Sequence, residues 1–204
     1  MDKLFLVFYV SFSLVNYGKC QMLQFGRCPE VEPVKFFDIE RFLGHWFVIE
    51  QYPTWYEETG GCTYKRIEAC GRRIEIEHGF VKEGIQFVLR WNSTYIPGND
   101  AIFELKDNRI DPHGVPIIVI ETDYDDYALI YGCRVNSVLD IKYSGAWILS
   151  RSKILPEDTI DMLRITLNKI PYTSPGFLER VRHDDSTCNH HWTAYVRATE
   201  SDNK

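Results

Sequence analysis

The middle of the chain contains eight short candidate strands, and turn-forming Gly, Pro, Asn and Asp residues separate them. Several segments alternate apolar and polar residues with period two, which predicts β-strands with one buried face. Their connections are short, which favours antiparallel pairing of sequential strands. Eight such strands form either a sandwich or a closed barrel, and closure removes the exposed sheet edges. The predicted strands are residues 44–51, 61–69, 72–79, 84–92, 101–106, 115–122, 127–134 and 142–150.

One helix is predicted after the last strand, with Pro156 at its first position and Pro171 as its stop. Four apolar residues within it recur at helical spacing and form one stripe: Ile160, Leu163, Leu167 and Ile170. We expect this stripe to pack on the outside of the sheet rather than in a membrane or against a partner.

The first twenty residues have the pattern of a secretory signal. Lys3 precedes an apolar run of signal-peptide length, and Gly18 and Cys20 are small residues placed for cleavage before Gln21. We therefore expect a signal peptide at 1–20 and a single secreted, extracellular domain at 21–204, with a short polar tail at about 193–204. The chain has a net charge of −6, which argues against nonspecific nucleic-acid binding.

Five cysteines follow the predicted cleavage site: Cys28, Cys62, Cys70, Cys133 and Cys188. They are widely spaced and form no Cys-x-x-Cys pair, so a structural metal cluster is not expected. In an oxidising compartment, two disulfides and one remaining thiol are expected. Asn92-Ser93-Thr94 is a glycosylation sequon, which a secreted protein can use.

Three motifs occur in register with the predicted strands. Gly44-His45-Trp46 opens the first strand, Thr122-Asp123-Tyr124 lies between the sixth and seventh, and Arg151 follows the eighth. A Gly-x-Trp, a Thr-Asp-Tyr and a late arginine in this order resemble the lipocalin family. Cys28-Pro29 and the strands containing Tyr-Ala-Leu-Ile-Tyr-Gly-Cys and Ala-Trp-Ile-Leu-Ser-Arg are similar to apolipoprotein D and Lazarillo-type lipocalins.

This resemblance implies an all-β fold: an eight-stranded antiparallel up-and-down β-barrel with one C-terminal α-helix packed outside. It implies that Trp46 plugs the closed end, that Arg151 packs across it, and that Gly44 lets the backbone pass closely. These roles are structural. It also implies disulfides Cys28–Cys133 and Cys62–Cys188. Cys70 has no counterpart in that pattern, and it is either a free thiol or a bridge to another chain or a small thiol.

An eight-stranded barrel is wide enough to enclose one small ligand. Trp147 lies an even number of residues from Arg151 and therefore on the same strand face, and the family resemblance also places it in the pocket. The same alternation along the strands favours six further pocket residues: Tyr143, Leu129, Tyr131, Phe87, Leu89 and Trp91. The resemblance implies a carrier for a small hydrophobic molecule such as a fatty acid, sterol, retinoid or bilin, with no cofactor. Trp55 and Tyr56 follow the first strand, where a lid, a membrane-touching tip and simple packing on the rim are all compatible with the sequence.

Besides a carrier, a secreted domain of this kind could be an enzyme or a protein that acts through its surface. Catalysis needs a nucleophile or an acid–base pair in the pocket, and the sequence places none there, so we predict that the chain is not an enzyme. His183, His190 and His191 surround Cys188, but a bridged cysteine cannot bind a metal, so no metal site is expected. The third class is a secreted protein whose surface, rather than its pocket, binds a receptor or a membrane.

Overall fold

The computed structural model describes residues 23–53, 60–70, 73–95, 100–107, 111–136 and 139–197. The predicted signal peptide, Trp55 and Tyr56 lie outside these residues. Within the described residues there are eleven strands: β1 (Leu23–Phe25), β2 (Gly44–Gln51), β3 (Gly61–Cys70), β4 (Arg73–Lys82), β5 (Ile85–Thr94), β6 (Ile102–Asp107), β7 (Asp111–Thr122), β8 (Tyr127–Asn136), β9 (Ile141–Ser150), β10 (Glu179–Arg180) and β11 (Trp192–Arg197). The helices are α1 (Ile39–Phe42), α2 (Glu157–Asn168) and α3 (Asp185–Cys188), with a 3-10 turn at Pro175–Phe177.

Strands β2 to β9 pair antiparallel with their neighbours in sequence, and β2 also pairs with β9. The predicted eight-stranded antiparallel barrel is therefore confirmed. The three other strands occupy edges that the barrel strands leave open. β1 lies on β9, β10 lies on β2, and β11 lies parallel to β5 along Ile85–Arg90. They satisfy backbone groups that an open edge would expose.

Strand β11 includes the first residues of the predicted polar tail, residues 193–197. The segment Trp192–Arg197 continues the sheet, and Thr193 Oγ1 donates a hydrogen bond to Gln86 Oε1 at 3.3 Å. The segment contains the strand-favouring residues Trp192, Tyr195 and Val196, but it is short and stands alone after the C-terminal helices. It forms a strand because β6 pairs with β5 only at Asn92–Thr94 and leaves the rest of that edge available.

Helix α2 lies outside the barrel, as predicted. Its apolar stripe packs in a second core cluster on the outer faces of β8 and β9. Arg164 of α2 donates to Glu50, a carboxylate that is 1% exposed, with Nε 3.0 Å from Oε2. The helix ends at Asn168, earlier than predicted, because Lys169 and Ile170 donate to carbonyls three residues back and tighten the chain. Among the described residues, none of the helices has the length and apolar character needed to cross a bilayer.

The closed end of the barrel is held by Arg151. Its guanidinium lies 3.6 Å from the centre of the buried Trp46 ring. It donates three hydrogen bonds to backbone carbonyls: to Arg41 at 2.8 Å, His45 at 3.0 Å and Tyr124 at 3.1 Å. One side chain thus joins α1, β2 and the turn between β7 and β8.

Gly44 is placed where only glycine fits without strain. Its φ is +102°, and a Cβ there would lie 3.4 Å from Arg151 Nη1. Positive φ costs a residue with a Cβ, so glycine lets β2 begin directly beneath the guanidinium.

The turn between β7 and β8 explains the Thr-Asp-Tyr motif. Asp123 Oδ1 accepts the backbone N–H groups of Asp126 and Tyr127, each at 2.9 Å. Thr122 Oγ1 accepts from the Tyr124 N–H and donates to the Tyr127 carbonyl. These bonds fix the turn so that the Tyr124 carbonyl points at Arg151.

Two disulfides tie the outer segments to the barrel. Cys28–Cys133 joins the N-terminal segment to β8, and Cys62–Cys188 joins β3 to α3. They are the two pairs that the lipocalin resemblance implies. Cys70 is unbridged and exposed at the end of β3.

Candidate binding site in the barrel

The barrel encloses a cavity of about 30 Å³ above α1. Eight of its lining side chains are apolar and the ninth is a lysine: Phe42, Ile67, Ile76, Trp91, Phe103, Ile117, Ile130, Trp147 and Lys65. A water molecule needs roughly 10–15 Å³ on this measure, so the cavity has room for about two water-sized groups. Pockets for drug-sized ligands usually measure about 300–1,000 Å³. The lower half of the barrel is therefore filled mainly by its own side chains.

The bulky Trp147 side chain lines the cavity from β9. Gly145 makes room for its indole. A Cβ on Gly145 would lie 2.4 Å from Trp147 Cη2, closer than real Cβ contacts come. The ring consequently lies flat against the inner surface of β8 and β9. Gln51 pairs with Trp147 across β2 and β9, and its buried Oε1 has no hydrogen-bond partner within the described part of the chain.

Lys65 brings a positive charge into this apolar interior. Its side chain is directed inward from β3, the residue is 7% exposed, and Nζ lies 5.0 Å from the centre of the Trp147 ring. The strand register places it opposite His78 of β4, which is 0% exposed and packs beside Phe80 and Trp91. Two basic side chains thus stand next to each other on the inner wall.

The inner wall becomes partly exposed towards the open end. On β5, Leu89 and Phe87 follow Trp91 at two-residue intervals on the same face, and both are half-buried. Phe87 stacks on Phe80 at 5.2 Å between ring centres. A strand rises about 3.3 Å per residue, so Phe87 lies roughly 13 Å above Trp91. Tyr143 occupies the same inward face of β9 and is also half-buried.

The structure brings five of the seven predicted pocket residues to the inner wall, and it contradicts two. Leu129 and Tyr131 point outward and pack in the cluster beneath α2. Burial raises the pKa of the Tyr131 hydroxyl, which donates to Ser144 Oγ at 3.2 Å. The inner and outer faces of β8 were exchanged in the prediction. Both faces of this strand are apolar, because α2 covers its outer face. Ile130 is the β8 residue in the cavity wall.

A larger depression lies where β2 ends, β3 begins and the chain turns from β4 into β5. It measures about 570 Å³ and also borders the segment that follows β10. Backbone glycines and charged side chains line it, among them Lys82, Glu83 and Arg182. A polar, open surface of this kind removes little apolar surface from water, so it is a weaker candidate for binding a hydrophobic molecule.

The remaining sequence candidates lie away from the cavity. Asn92 is exposed on the outer face of β5. Within the described residues, no group of three or more His, Cys, Asp or Glu side chains is arranged to hold a metal ion. His183 Nε2 donates to the Val48 carbonyl at 2.8 Å, and His190 Nδ1 lies 3.1 Å from the carbonyl of Cys188.

Comparison with known proteins places this geometry among known folds. No protein-family model matches the chain. It is 29% identical to apolipoprotein D from Cavia porcellus over 175 residues, covering 83% of this chain and 91% of the relative. It is 29% identical to insecticyanin-A from Manduca sexta (68% and 76% covered) and 26% identical to the bilin-binding protein from Pieris brassicae (72% and 79% covered).

Solved structures show the same barrel. The insecticyanin structure from the tobacco hornworm Manduca sexta superimposes with a TM-score of 0.74 at 22% identity, covering 86% of this chain and 96% of that one. Lobster apocrustacyanin A1 superimposes with a TM-score of 0.68 at 16% identity, covering 80% and 92%. The chain therefore has the lipocalin fold, and its sequence resembles the lipocalins apolipoprotein D and insecticyanin.

Proposed function

We propose that this protein is a secreted carrier that binds a small hydrophobic molecule in its barrel. The observation that carries the proposal is the largely apolar inner wall, which is buried at Trp91 and Trp147 and half-buried at Leu89, Phe87 and Tyr143. A ligand that covers this wall removes apolar surface from water, at about 2.5 kcal/mol for every 100 Å². One relative is named for binding a bilin. The proposal assigns no catalytic residue.

The bulk of the ligand would occupy the part of the barrel between the cavity and the open end. The enclosed cavity of about 30 Å³ is too small for a fatty acid, sterol, retinoid or bilin. Trp91 and Trp147 would therefore form the floor of the site, and Leu89, Phe87 and Tyr143 its wall.

Secretion belongs to the same proposal. Disulfides persist in oxidising compartments, and the structure contains two. The exposure of Asn92 leaves its side chain accessible to glycosylation. Cleavage after residue 20 would leave residues 21–204 as the secreted domain.

The direct test is native mass spectrometry with an absorbance scan of protein purified from a eukaryotic secretion host. A retained stoichiometric lipid or pigment would support the carrier and identify its class. Trp147→Ala should weaken binding of a fluorescent fatty acid, while Trp192→Ala removes an exposed tryptophan outside the barrel and should not. Trp147→Phe preserves most of the packing and serves as a second variant if the alanine protein does not fold. Unchanged affinity in both Trp147 variants would contradict the proposed role of this side chain.

The second candidate is a secreted protein whose surface binds a receptor or a membrane. The small volume of the enclosed cavity favours it over a carrier with a deep pocket. An empty barrel that also fails to bind fatty acid, retinoid, sterol and bilin in titrations would support this alternative.

A further inference from the structure

The cavity contains a charge that a purely hydrophobic cargo does not require. Lys65 is the charged member of a lining that is otherwise made of aliphatic and aromatic side chains. Burying an ammonium is costly unless interactions in the folded protein compensate for lost hydration. The nearby Trp147 ring, with its centre 5.0 Å from Nζ, provides one such interaction.

The size of the cavity fits a small polar group better than a hydrocarbon chain. Its volume of about 30 Å³ corresponds to about two water-sized groups, which is close to the two oxygens of a carboxylate. An anion at this position would lie against an ammonium in a medium of low dielectric constant, where charge-assisted hydrogen bonds are strong.

The wall above the cavity supplies the complementary apolar surface. Leu89 and Phe87 extend it roughly 13 Å from Trp91 towards the open end, on the same face of β5. A ligand with its head group at Lys65 would place its hydrocarbon part along this wall.

We infer that the cargo is an amphiphile with a carboxylate, bound with its acidic group inward at Lys65 and its apolar part towards the open end. This inference rests on the proposed carrier function and specifies its ligand class. Lys65 is then the residue that distinguishes an acid from the neutral alcohol of the same skeleton.

The experiment compares retinoic acid with retinol, whose chromophores both quench tryptophan fluorescence. The wild-type protein should bind the acid about ten- to hundredfold more tightly, the range expected for one charge-assisted hydrogen bond. Lys65→Met should abolish this preference, because methionine fills a similar apolar volume but carries no charge. Lys35→Met is the matched control, because Lys35 is exposed and pairs with Asp100 at the closed-end surface.

The outcomes separate the inference from the proposed function. Equal binding of acid and alcohol by the wild-type protein would overturn the inference and leave the carrier standing. A preference for the acid that persists in Lys65→Met would also overturn it, because another group would then recognise the carboxylate. If neither retinoid binds, and native mass spectrometry also finds no retained ligand, the carrier function itself fails. Retained binding of retinol by Lys65→Met shows that the variant has folded.

Discussion

Replacing Arg151 with methionine tests how the closed end of the barrel is held together. The substitution keeps a long apolar stem over Trp46 but removes the guanidinium, which lies 3.6 Å from the ring centre. It also removes three donors from the carbonyls of Arg41, His45 and Tyr124.

The expected loss follows from these contacts. A cation over a buried tryptophan contributes about 1–2 kcal/mol. The three carbonyls lie near the surface and regain water when the guanidinium is removed, so each bond contributes about 0.5 kcal/mol, the low end of the usual range. We expect Arg151→Met to lower the free energy of unfolding by about 2–4 kcal/mol, allowing for non-additivity.

The assay is urea unfolding followed by tryptophan fluorescence, with both disulfides intact. Arg151→Lys keeps a charge over the ring but cannot reach three carbonyls, so it should recover about 1–2 kcal/mol of the loss. Lys35→Met removes an exposed cation and should change stability by less than about 0.5 kcal/mol. A loss below about 1 kcal/mol in Arg151→Met, or a lysine variant no more stable than the methionine variant, would refute this account of the closed end.

Three further predictions follow from particular contacts. Gly145→Ala should cost about 1–3 kcal/mol in urea unfolding and weaken ligand binding, because its Cβ would meet the Trp147 ring at 2.4 Å and push it into the site. Burial lowers the pKa of His183 below 6.5, so the unfolded chain binds protons more readily than the folded protein does. The free energy of unfolding should therefore fall as the pH drops below about 6.5. His183→Gln should flatten this dependence in urea midpoints measured across the pH range, and an unchanged slope would contradict it. Replacing both Cys62 and Cys188 by serine should lower the free energy of unfolding by up to about 4–5 kcal/mol, because their disulfide closes a loop of 126 residues. A change below about 1 kcal/mol would show that other contacts hold the C-terminal segment.

The barrel was predictable because its signals are local and repeated. Regular spacing between turn residues, with period-two alternation in several segments, located the eight strands, and the helical stripe from Ile160 located α2. These patterns arise wherever one face of an element is buried and the other is exposed. The Gly-x-Trp and Thr-Asp-Tyr motifs were recognisable because each meets a local backbone demand, such as the positive φ at Gly44 or the turn capped by Asp123.

The errors occurred where tertiary contacts decide. Leu129 and Tyr131 were assigned inward because an alternating pattern does not tell which face is inner when a helix covers the outer one. The strand at residues 193–197 was not foreseen in the predicted tail of 193–204, because its partner, the open edge of β5, is more than a hundred residues away in sequence.

Lys65 was missed for a related reason. It stands next to Arg66 in a strand that looks charged, and the sequence does not show which of the two side chains enters the barrel. The strand register shows which side chain points inward. Lys65 lies on the same face of β3 as Ile67, whereas Arg66 lies opposite Glu77 of β4 on the outer face. The sequence therefore predicts the apolar wall of a carrier, while the charge that would select its ligand emerges only when the strands are paired. In a barrel of this kind, family motifs fix the closed end, and side chains that the motifs do not include determine what the open end can bind.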